Sequence, residues 1–380
     1  MNSSVFSKFI LGISILSLLI SIYMIFSGDI ALSGPFVVVF LAFLAISFRG
    51  FPALRGLTFT TSILAVVAIS LYYPEYFKEY KGFEFATLIT PLIQIIMFGM
   101  GCSMGLKDFV ALAKSPKSVI VGVVGQFTIM PLLGFTLASF TNFPAEISAG
   151  IILLACAPTS VTASVMSYLA KANVVLAITI TAITTLLAPF LIPLLMKFLA
   201  GGFIEINVME MMWGIIQMVF IPIGAGLIFN KFLHGKAKWL DDSMPLVSMI
   251  GVAFIVAIIM AAGRDSILNI GLELILVVFV MTLSGFFLGY WWARLFKLSE
   301  DDCRTIALAT GMQNAGLVSG IAKVMGKIAT VGLATAVCGP IMGFSSSILA
   351  SYWNSHPPKD DNLVAQNKLE ESAEVDILSV

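Results

Sequence analysis

The sequence predicts an all-α polytopic membrane protein built from two inverted five-helix repeats, with about two extra helices at the N-terminus. The chain has 380 residues, of which 59% are hydrophobic and only 11% are charged. A soluble domain carries about 25% charged residues. Long uncharged apolar segments recur along the chain, and polar residues interrupt two of them, one in each half.

Twelve apolar runs are long enough to span a bilayer as an α-helix, which takes about 17–25 residues. They cover residues 9–27, 30–48, 56–74, 85–106, 118–140, 147–170, 174–196, 211–230, 244–262, 274–293, 305–322 and 328–353. The first run is longer than the apolar part of a signal peptide, and no A-x-A cleavage site follows it. We therefore expect it to be a retained membrane helix.

The basic residues predict the orientation, because loops rich in Lys and Arg stay in the cytoplasm. With a cytoplasmic N-terminus and twelve crossings, fifteen of the 21 Lys and Arg residues lie inside and six lie outside. We therefore expect both termini in the cytoplasm, and the protein in the inner or plasma membrane among its lipids.

The spans after the second form two units of five. In each unit the fourth span carries a polar interruption and the fifth contains proline. Five is an odd number, so the two units lie in opposite orientations, as in inverted-repeat transporters. The predicted divisions are 1–50 for the extra helices, 51–200 and 201–353 for the repeats, and 354–380 for a polar cytoplasmic tail.

The two interrupted spans are the candidate functional centre. In one, Gly311 and Gly316 flank the adjacent amides Gln313 and Asn314; in the other, a proline precedes four hydroxyl side chains within residues 158–164. Glycine weakens a helix, and buried amides need partners that lipid does not offer. Two broken helices, one in each half of a chain, are typical of a transporter binding site.

Several function classes are disfavoured. The net charge is zero and no basic run occurs, which argues against a nucleic-acid partner. The four cysteines have no metal-ligand spacing, and both histidines fall in polar loops. Glu146 and Glu273 lie at span ends, so no ionisable residue at mid-span offers a proton relay. No nucleophile–base pair lies at membrane depth, so we expect no enzyme.

Four strings resemble the bile acid:sodium symporter family. These strings are residues 96–101 (IMFGMG), 125–131 (GQFTIMP), 168–174 (YLAKANV) and 311–316 (GMQNAG). The resemblance covers roughly residues 56–353 and leaves residues 1–50 outside. It implies two inverted repeats whose broken helices cross, and a panel domain and a core domain that move against each other. It also implies transport of organic anions with sodium.

The resemblance implies two sodium sites, of which this sequence has lost most of one. The acidic ligand of that site corresponds to Ala309. Its other side-chain ligands correspond to Ala163, Ser164, Ala177 and Thr181. Three of the five positions are therefore alanine, and we expect this site to be absent, with Thr181 a weak candidate ligand.

The second sodium site implied by the resemblance is intact. It consists of the side chains of Gln126 and Gln313 and the backbone carbonyls of Thr310 and Met312. Sodium is held by neutral oxygens and unwound carbonyls in other transporters. We therefore expect one sodium site at most, and the alternative is no coupling ion.

The substrate is expected where the broken helices cross. No Arg or Lys lies there, so an anion has to be held by half-helix N-termini, hydroxyls and amides. The candidate substrate-binding residues are Thr159, Ser160, Thr162, Ser164, Asn314, Ser319 and Thr282. A bile-acid-like anion and a small carboxylate both suit such a cavity.

These observations predict a secondary transporter that moves an organic anion by alternating access, with sodium bound at one residual site. A sodium-independent transporter or facilitator of the same fold is an alternative, because Ala309 replaces the acidic ligand. A membrane sensor that kept the fold is another. A monomer is the simplest expectation.

Overall fold

The structure, a computed structural model, describes residues 3–51, 54, 57–103, 116–233 and 238–357. Within these residues the regular structure is helical apart from a short hairpin of β1 (Glu79–Tyr80) and β2 (Phe83–Glu84). Most of the predicted cytoplasmic tail and the end of the fourth predicted span lie outside the described residues.

The helices of the first half are bounded as follows. They are α1 Ser3–Phe26, α2 Ile30–Phe48, α3 Thr58–Tyr72, α4 Glu75–Lys78, α5 Ile89–Ser103, α6 Pro116–Phe140, α7 Ala145–Ala155, α8 Thr162–Leu169 and α9 Val174–Leu199. A 3₁₀ turn at Phe85–Leu88 leads into α5.

The second half begins with a helix that contains a π-helical turn. Its helices are α10 Val208–Ile215, the π turn Ile216–Phe220, α11 Ile221–Leu233, α12 Lys238–Ala262, α13 Arg264–Leu295, α14 Glu300–Gly311, α15 Ala315–Val324 and α16 Leu333–Ser355. Helices α10 and α11 continue through the π turn as a single rod.

Each of the twelve predicted spans contains helix, which confirms an all-α polytopic membrane protein. Eight helices among the described residues are long and apolar enough to cross a membrane, and shorter apolar helices occupy the remaining predicted spans. Two of those spans are short because each is broken into two helices, α7–α8 and α14–α15.

The tenth predicted span, residues 274–293, begins later than the helix that the structure shows there. Helix α13 begins at Arg264 and has 32 residues, so Glu273 lies within the helix and not at its start. At about 1.5 Å per residue the helix is about 48 Å long, well beyond the roughly 30 Å of a hydrocarbon core. The excess length leaves room for the exposed Glu273 side chain near the membrane interface.

The two extra N-terminal helices form a hairpin joined by serine hydroxyls. Ser14 donates to the Phe40 carbonyl at 2.9 Å, and Ser17 donates to the Phe36 carbonyl at 2.8 Å. Polar side chains join membrane helices in this way because lipid offers no competing partner. Helix α2 then packs on α3, where Ser33 meets the Tyr72 hydroxyl at 2.9 Å.

The remaining helices fall into two packed groups. We call α3, α5, α10–α11 and α12 the panel, in which α11 packs on α5, α5 on α12 and α12 on α3. We call α6, α7–α8, α9, α13, α14–α15 and α16 the core, which contains both interrupted helices. The N-terminal hairpin therefore extends the row of panel helices at its α3 end.

Candidate functional site

The two interrupted helices meet at their breaks. Thr159 and Gln313 pair as an isolated antiparallel β-bridge. The Ser160 amide donates to the Met312 carbonyl at 2.8 Å, and the Asn314 amide donates to the Pro158 carbonyl at 2.9 Å. Each broken helix thus supplies partners for backbone groups that the other leaves open, which is how irregular backbone is accommodated at membrane depth.

The local sequence explains where each helix stops. Pro158 has no N–H and disfavours helical backbone at the preceding residue, so the first helix cannot continue past Ala155 and Cys156. The second helix restarts after Asn314, whose side-chain oxygen accepts the Leu317 amide at 3.1 Å as an N-cap.

Gly311, beside the second break, also has a packing role that the sequence did not indicate. Neither Gly311 nor Gly316 has a positive φ, and Gly311 is the last residue of α14. A Cβ at Gly311 would lie 2.1 Å from Cδ1 of Phe286. The glycine is therefore needed for close packing of α14 on α13.

A chain of amide hydrogen bonds lies beside the crossing. The Gln126 Nε2 donates to the Ala157 carbonyl at 2.8 Å and to Gln313 Oε1 at 2.9 Å. Gln313 Nε2 in turn donates to the Thr310 carbonyl at 2.6 Å. Because a carbonyl only accepts, the Ala157 contact fixes which end of the Gln126 amide is nitrogen. The chain connects α6 with both interrupted helices.

Two of the predicted sodium ligands each carry a buried side-chain oxygen that lacks a hydrogen-bond partner among the described residues. They are Oε1 of Gln126, a residue with 0% exposure, and Oγ1 of Thr181, a residue with 4% exposure on α9. A buried polar atom left without a partner costs about 1–3 kcal/mol. An oxygen of this kind can bind a cation, and Gln126 and Thr181 are both predicted sodium ligands.

Ala309, which corresponds to the acidic ligand of the family's other sodium site, is packed inside the crossing. Ala309 is 1% exposed, and its carbonyl accepts the Thr159 hydroxyl at 3.1 Å. The Thr159 amide in turn donates to Thr184 Oγ1 at 3.3 Å. Thr159, a predicted substrate ligand, is therefore fully buried within the crossing and braces it.

The hydroxyls of Ser160 and Thr162 form an exposed pair at the start of α8. They are 2.9 Å apart, and Thr162 is exposed at the start of α8. Asn314 lies across the bridge with 8% exposure. Among the predicted substrate residues, Ser160 and Thr162 bond to each other through their hydroxyls, and the side-chain oxygen of Asn314 caps α15.

The hydroxyls of the other predicted substrate residues bond to their own helices. Ser164 donates to the Val161 carbonyl at 2.7 Å, Ser319 to the Ala315 carbonyl at 2.9 Å, and Thr282 to the Val278 carbonyl at 2.8 Å. Such back-bonding is common for Ser and Thr in membrane helices. Thr282 and Ser319 are also buried, so the structure places them inside the core.

Polar contacts hold the outer ends of the interrupted helices, and sequence reasoning missed their pairing. Glu146, at the start of α7, accepts from Lys327 and from Thr330 Oγ1 in the loop after α15. Asp302, at the start of α14, accepts from Asn173 Nδ2 at 2.8 Å in the loop after α8. Each interrupted helix thus begins with a carboxylate bonded to the loop that follows the other.

A third contact strengthens the second of these links. Ser118 of α6 donates to the other oxygen of Asp302 at 2.5 Å, and Asp302 is 8% exposed. A single clue in the sequence was available, namely a carboxylate in the first turn of a helix beside a membrane span. The sequence alone did not indicate which residue it would bond.

Comparison with known proteins finds relatives among membrane transporters. The model of the sodium bile acid symporter family matches residues 90–270. The uncharacterized sodium-dependent transporter YocS of Bacillus subtilis is 35% identical over 305 residues, which cover 80% of this chain and 93% of YocS. The probable sodium/metabolite cotransporter BASS1 of Oryza sativa chloroplasts is 31% identical over 313 residues, which cover 80% of this chain and 74% of the relative.

Proposed function

Because the chain belongs to the sodium bile acid symporter family, we propose that it is a sodium-coupled secondary transporter that moves a small organic anion by alternating access. The family is one of transporters, and the chain is a multi-pass membrane protein and not an enzyme. The observation that carries the proposal is the crossing, where two broken helices exchange backbone hydrogen bonds beside a buried amide chain.

The sodium part of the proposal rests on neutral oxygens. Oε1 of Gln126 has no hydrogen-bond partner among the described residues, and the carbonyls of Thr310 and Met312 each accept one hydrogen bond. A carbonyl has two lone pairs, so each keeps one for an ion. The side-chain amide of Gln313 links Gln126 to the Thr310 carbonyl. One sodium ion held here needs no carboxylate.

The absence of a carboxylate has a consequence for coupling. A cation bound among neutral groups at membrane depth leaves an uncompensated charge, which is costly there. A bound organic anion supplies the opposite charge. We therefore expect sodium and a monovalent anion to favour each other's binding and to move together without net charge.

The anion part of the proposal rests on Ser160, Thr162 and Asn314. The two hydroxyls and the Asn314 amide nitrogen are hydrogen-bond donors beside the N-termini of α8 and α15. Helix N-termini attract anions through their free N–H groups and their dipole. These groups suit a carboxylate or a sulfonate.

Alternating access requires one group of helices to move as a unit. The crossing is braced by the backbone bridge, the amide chain and the two carboxylate contacts, all of which lie within the core. The proposed motion is therefore a displacement of the core against the panel, which exposes the same binding groups on alternate sides. We place the protein in the plasma membrane, with both termini in the cytoplasm, as a monomer.

Uptake into proteoliposomes tests the proposal. We expect radiolabelled taurocholate or a labelled small monocarboxylate to enter faster under an inward sodium gradient than under a matched potassium gradient. A pH gradient alone should give no stimulation, and a change in membrane potential should leave the rate unchanged. No uptake of either class with any ion would contradict the proposed function.

A variant pair localises the activity to the crossing. Gln313→Ala removes the link between Gln126 and the Thr310 carbonyl, so we expect uptake to be lost in a protein that still folds. Gln217→Ala makes the same chemical change at an exposed amide in the π turn of the panel and serves as the control. Normal uptake by Gln313→Ala would mean that the amide chain is not part of the site.

A sodium-independent facilitator is the second candidate, and Ala309 is the observation that favours it. This position is packed, and its carbonyl is engaged by Thr159. Equal uptake in sodium and potassium would support the facilitator and leave the substrate site unchanged.

A further inference from the structure

Helices α2 and α3 run antiparallel, and they approach each other closely at one end only. At that end a Cβ at Gly34 would lie 2.5 Å from Cδ1 of Tyr72, and Ser33 bonds to the Tyr72 hydroxyl. Toward the opposite end, a cavity of about 130 Å³ lies between the two helices. The N-terminal hairpin is therefore joined to the panel tightly at one end and loosely at the other.

The cavity is a groove that is apolar along most of its length. On α2 it is lined by Ala42, Ala45 and Ile46, and on α3 by Ala65. The alanine side chains leave the space, and Ile46 is 43% exposed, so the groove opens toward the surrounding lipid. Ala42 and the lining residue Arg49 are seven positions apart, about 10 Å along a helix. The groove therefore reaches well into one leaflet, whose hydrocarbon layer is about 15 Å thick.

The polar residues of the groove lie together at one end of it. Arg49 directly follows α2, and Thr58 and Ser62 belong to the first two turns of α3. Oγ1 of Thr58 is buried and has no hydrogen-bond partner among the described residues. An unused hydroxyl donor and a positive charge thus line the same end, where both can bind an anion.

The size and polarity of the groove select its occupant. It is too narrow for a helix of another protein, which is about 10–12 Å across. Water does not suit the alanine-lined part, because apolar cavities stay dry. A phospholipid has a hydrocarbon chain for the apolar length and a phosphate for the polar end. Basic pockets between membrane helices on the cytoplasmic side bind the headgroups of anionic lipids in other proteins.

We propose that this groove binds one anionic phospholipid of the cytoplasmic leaflet. The distribution of basic residues places Arg49 on the cytoplasmic side. The lipid phosphate contacts Arg49 and Thr58, and one acyl chain lies between Ala45 and Ala65. The described lining has no acidic residue that could receive the positive group of a zwitterionic headgroup.

The bound lipid fastens the hairpin to the panel where the two helices leave a gap. It fills the space between α2 and α3 and adds a polar contact at the end opposite to the Ser33–Tyr72 bond. No group of the crossing takes part in this site, so it does not rest on the proposed transport function.

Native mass spectrometry of the full chain in detergent tests the proposal. Delipidated protein is titrated with phosphatidylglycerol or with phosphatidylcholine that carries the same acyl chains. We expect one phosphatidylglycerol to bind more tightly than phosphatidylcholine. Arg49→Gln should weaken its binding about fivefold, which is the contribution of one basic residue at an anionic membrane surface. Thr58→Val should also weaken it, without lowering the unfolding temperature in lipid-free detergent, because the lost hydroxyl has no partner there.

A variant that fills the groove tests the acyl-chain part of the site. Ala65→Leu should weaken phosphatidylglycerol binding at least as much as Arg49→Gln does. In lipid-free detergent its unfolding temperature should be unchanged or higher, because the added carbons occupy empty space. Two control variants should leave binding unchanged. Ala31→Leu adds the same side chain at an exposed position in the first turn of α2, and Lys231→Gln removes the same charge from the exposed last turn of α11.

Three results would overturn the lipid site. They are equal binding of the two lipids, a loss with Lys231→Gln as large as that with Arg49→Gln, and full binding by Ala65→Leu. Displacement of the lipid by an equal concentration of inorganic phosphate would also overturn it, because a free ion does not use the apolar groove. Uptake does not enter these measurements, so failure of the lipid site and failure of the proposed function are distinguishable.

Discussion

At the scale of single residues, the partners of the polar side chains at the crossing distinguish structural from ligand-binding roles. Thr159, Thr282 and Ser319 use their hydroxyls within the protein. Gln126 and Thr181 each retain a buried oxygen without a partner among the described residues. A buried oxygen of this kind is stabilised only when something binds it.

Thr181→Val gives the first prediction at this scale. The substitution keeps the shape of the side chain and removes an oxygen that has no partner, so we expect no loss of stability in potassium. In the unsubstituted protein, sodium should raise the temperature of thermal unfolding, because a ligand of the folded state stabilises it. Thr181→Val should diminish that rise if the residue contributes a ligand. The measurement is thermal unfolding in detergent, in sodium and in potassium.

The control for Thr181→Val lies one helical turn away. Thr184 Oγ1 donates to the Ile180 carbonyl at 2.8 Å and accepts the Thr159 amide at 3.3 Å. Thr184→Val should therefore lower the unfolding temperature in both salts equally. A sodium response that survives Thr181→Val unchanged would remove this residue from the ion site.

The sequence revealed the amides at the crossing but not their connections. A Gln at the centre of an apolar span requires a partner, which makes Gln126 and Gln313 recognisable from composition alone. Their bond joins residues 187 positions apart. Sequence reasoning had no means of showing that Thr282 would bond its own helix and not face the crossing, because either arrangement satisfies a hydroxyl.

At the scale of secondary-structure elements, the interruptions were predictable and their cause was only partly so. Pro158 ends its helix for the reason expected of proline. At the second break, Gly311 leaves space for the Phe286 ring, and Asn314 caps the helix that follows. The charge of Glu273 also misplaced a helix limit, because the predicted span begins after it whereas α13 begins at Arg264 and runs through it.

Asp302→Asn is the prediction at this scale. Both carboxylate oxygens of Asp302 accept a hydrogen bond, one from Ser118 and one from Asn173. In the variant one of these oxygens becomes an NH₂ group, which cannot accept and would face the N–H or O–H of its former partner. The protein should lose about 1–3 kcal/mol of stability. Asp301→Asn, in the same helical turn, makes the same change of charge and should cost only the helix-dipole contribution, about 0.3–1 kcal/mol. Unfolding in detergent measures both, and equal losses would show that the bonds of Asp302 contribute little.

At the scale of the whole molecule, the hydrophobic pattern predicted the order of the apolar helices. Each of the twelve predicted spans contains helix, the first two form the N-terminal hairpin, and the two interrupted spans are broken where their polar residues occur. The different burial of the two second half-helices did not follow from the sequence. Six of ten residues of α15 are buried but only two of eight in α8, although both helices begin at a break in an apolar span.

The N-terminal hairpin gives a prediction at this scale. It joins the molecule by packing of α2 on α3, with the Ser33–Tyr72 contact, and it is separated from the crossing by the panel. A variant lacking residues 1–50 should therefore bind substrate as tightly as the full chain, provided that it remains monodisperse in detergent. Equilibrium binding of labelled taurocholate to both proteins measures this. Weaker binding by the intact shortened protein would show that the hairpin affects the site.

The exchange of backbone bonds at the crossing also constrains how the protein is made. The Thr159 hydroxyl and the Ala309 carbonyl, which form a hydrogen bond, belong to residues 150 positions apart in the chain. A ribosome that adds about 5–20 residues per second needs roughly eight to thirty seconds to synthesise that stretch. During this interval the first broken helix sits in the bilayer with open amide and carbonyl groups. The nascent chain therefore depends on water, lipid headgroups or the insertion machinery until its second half arrives.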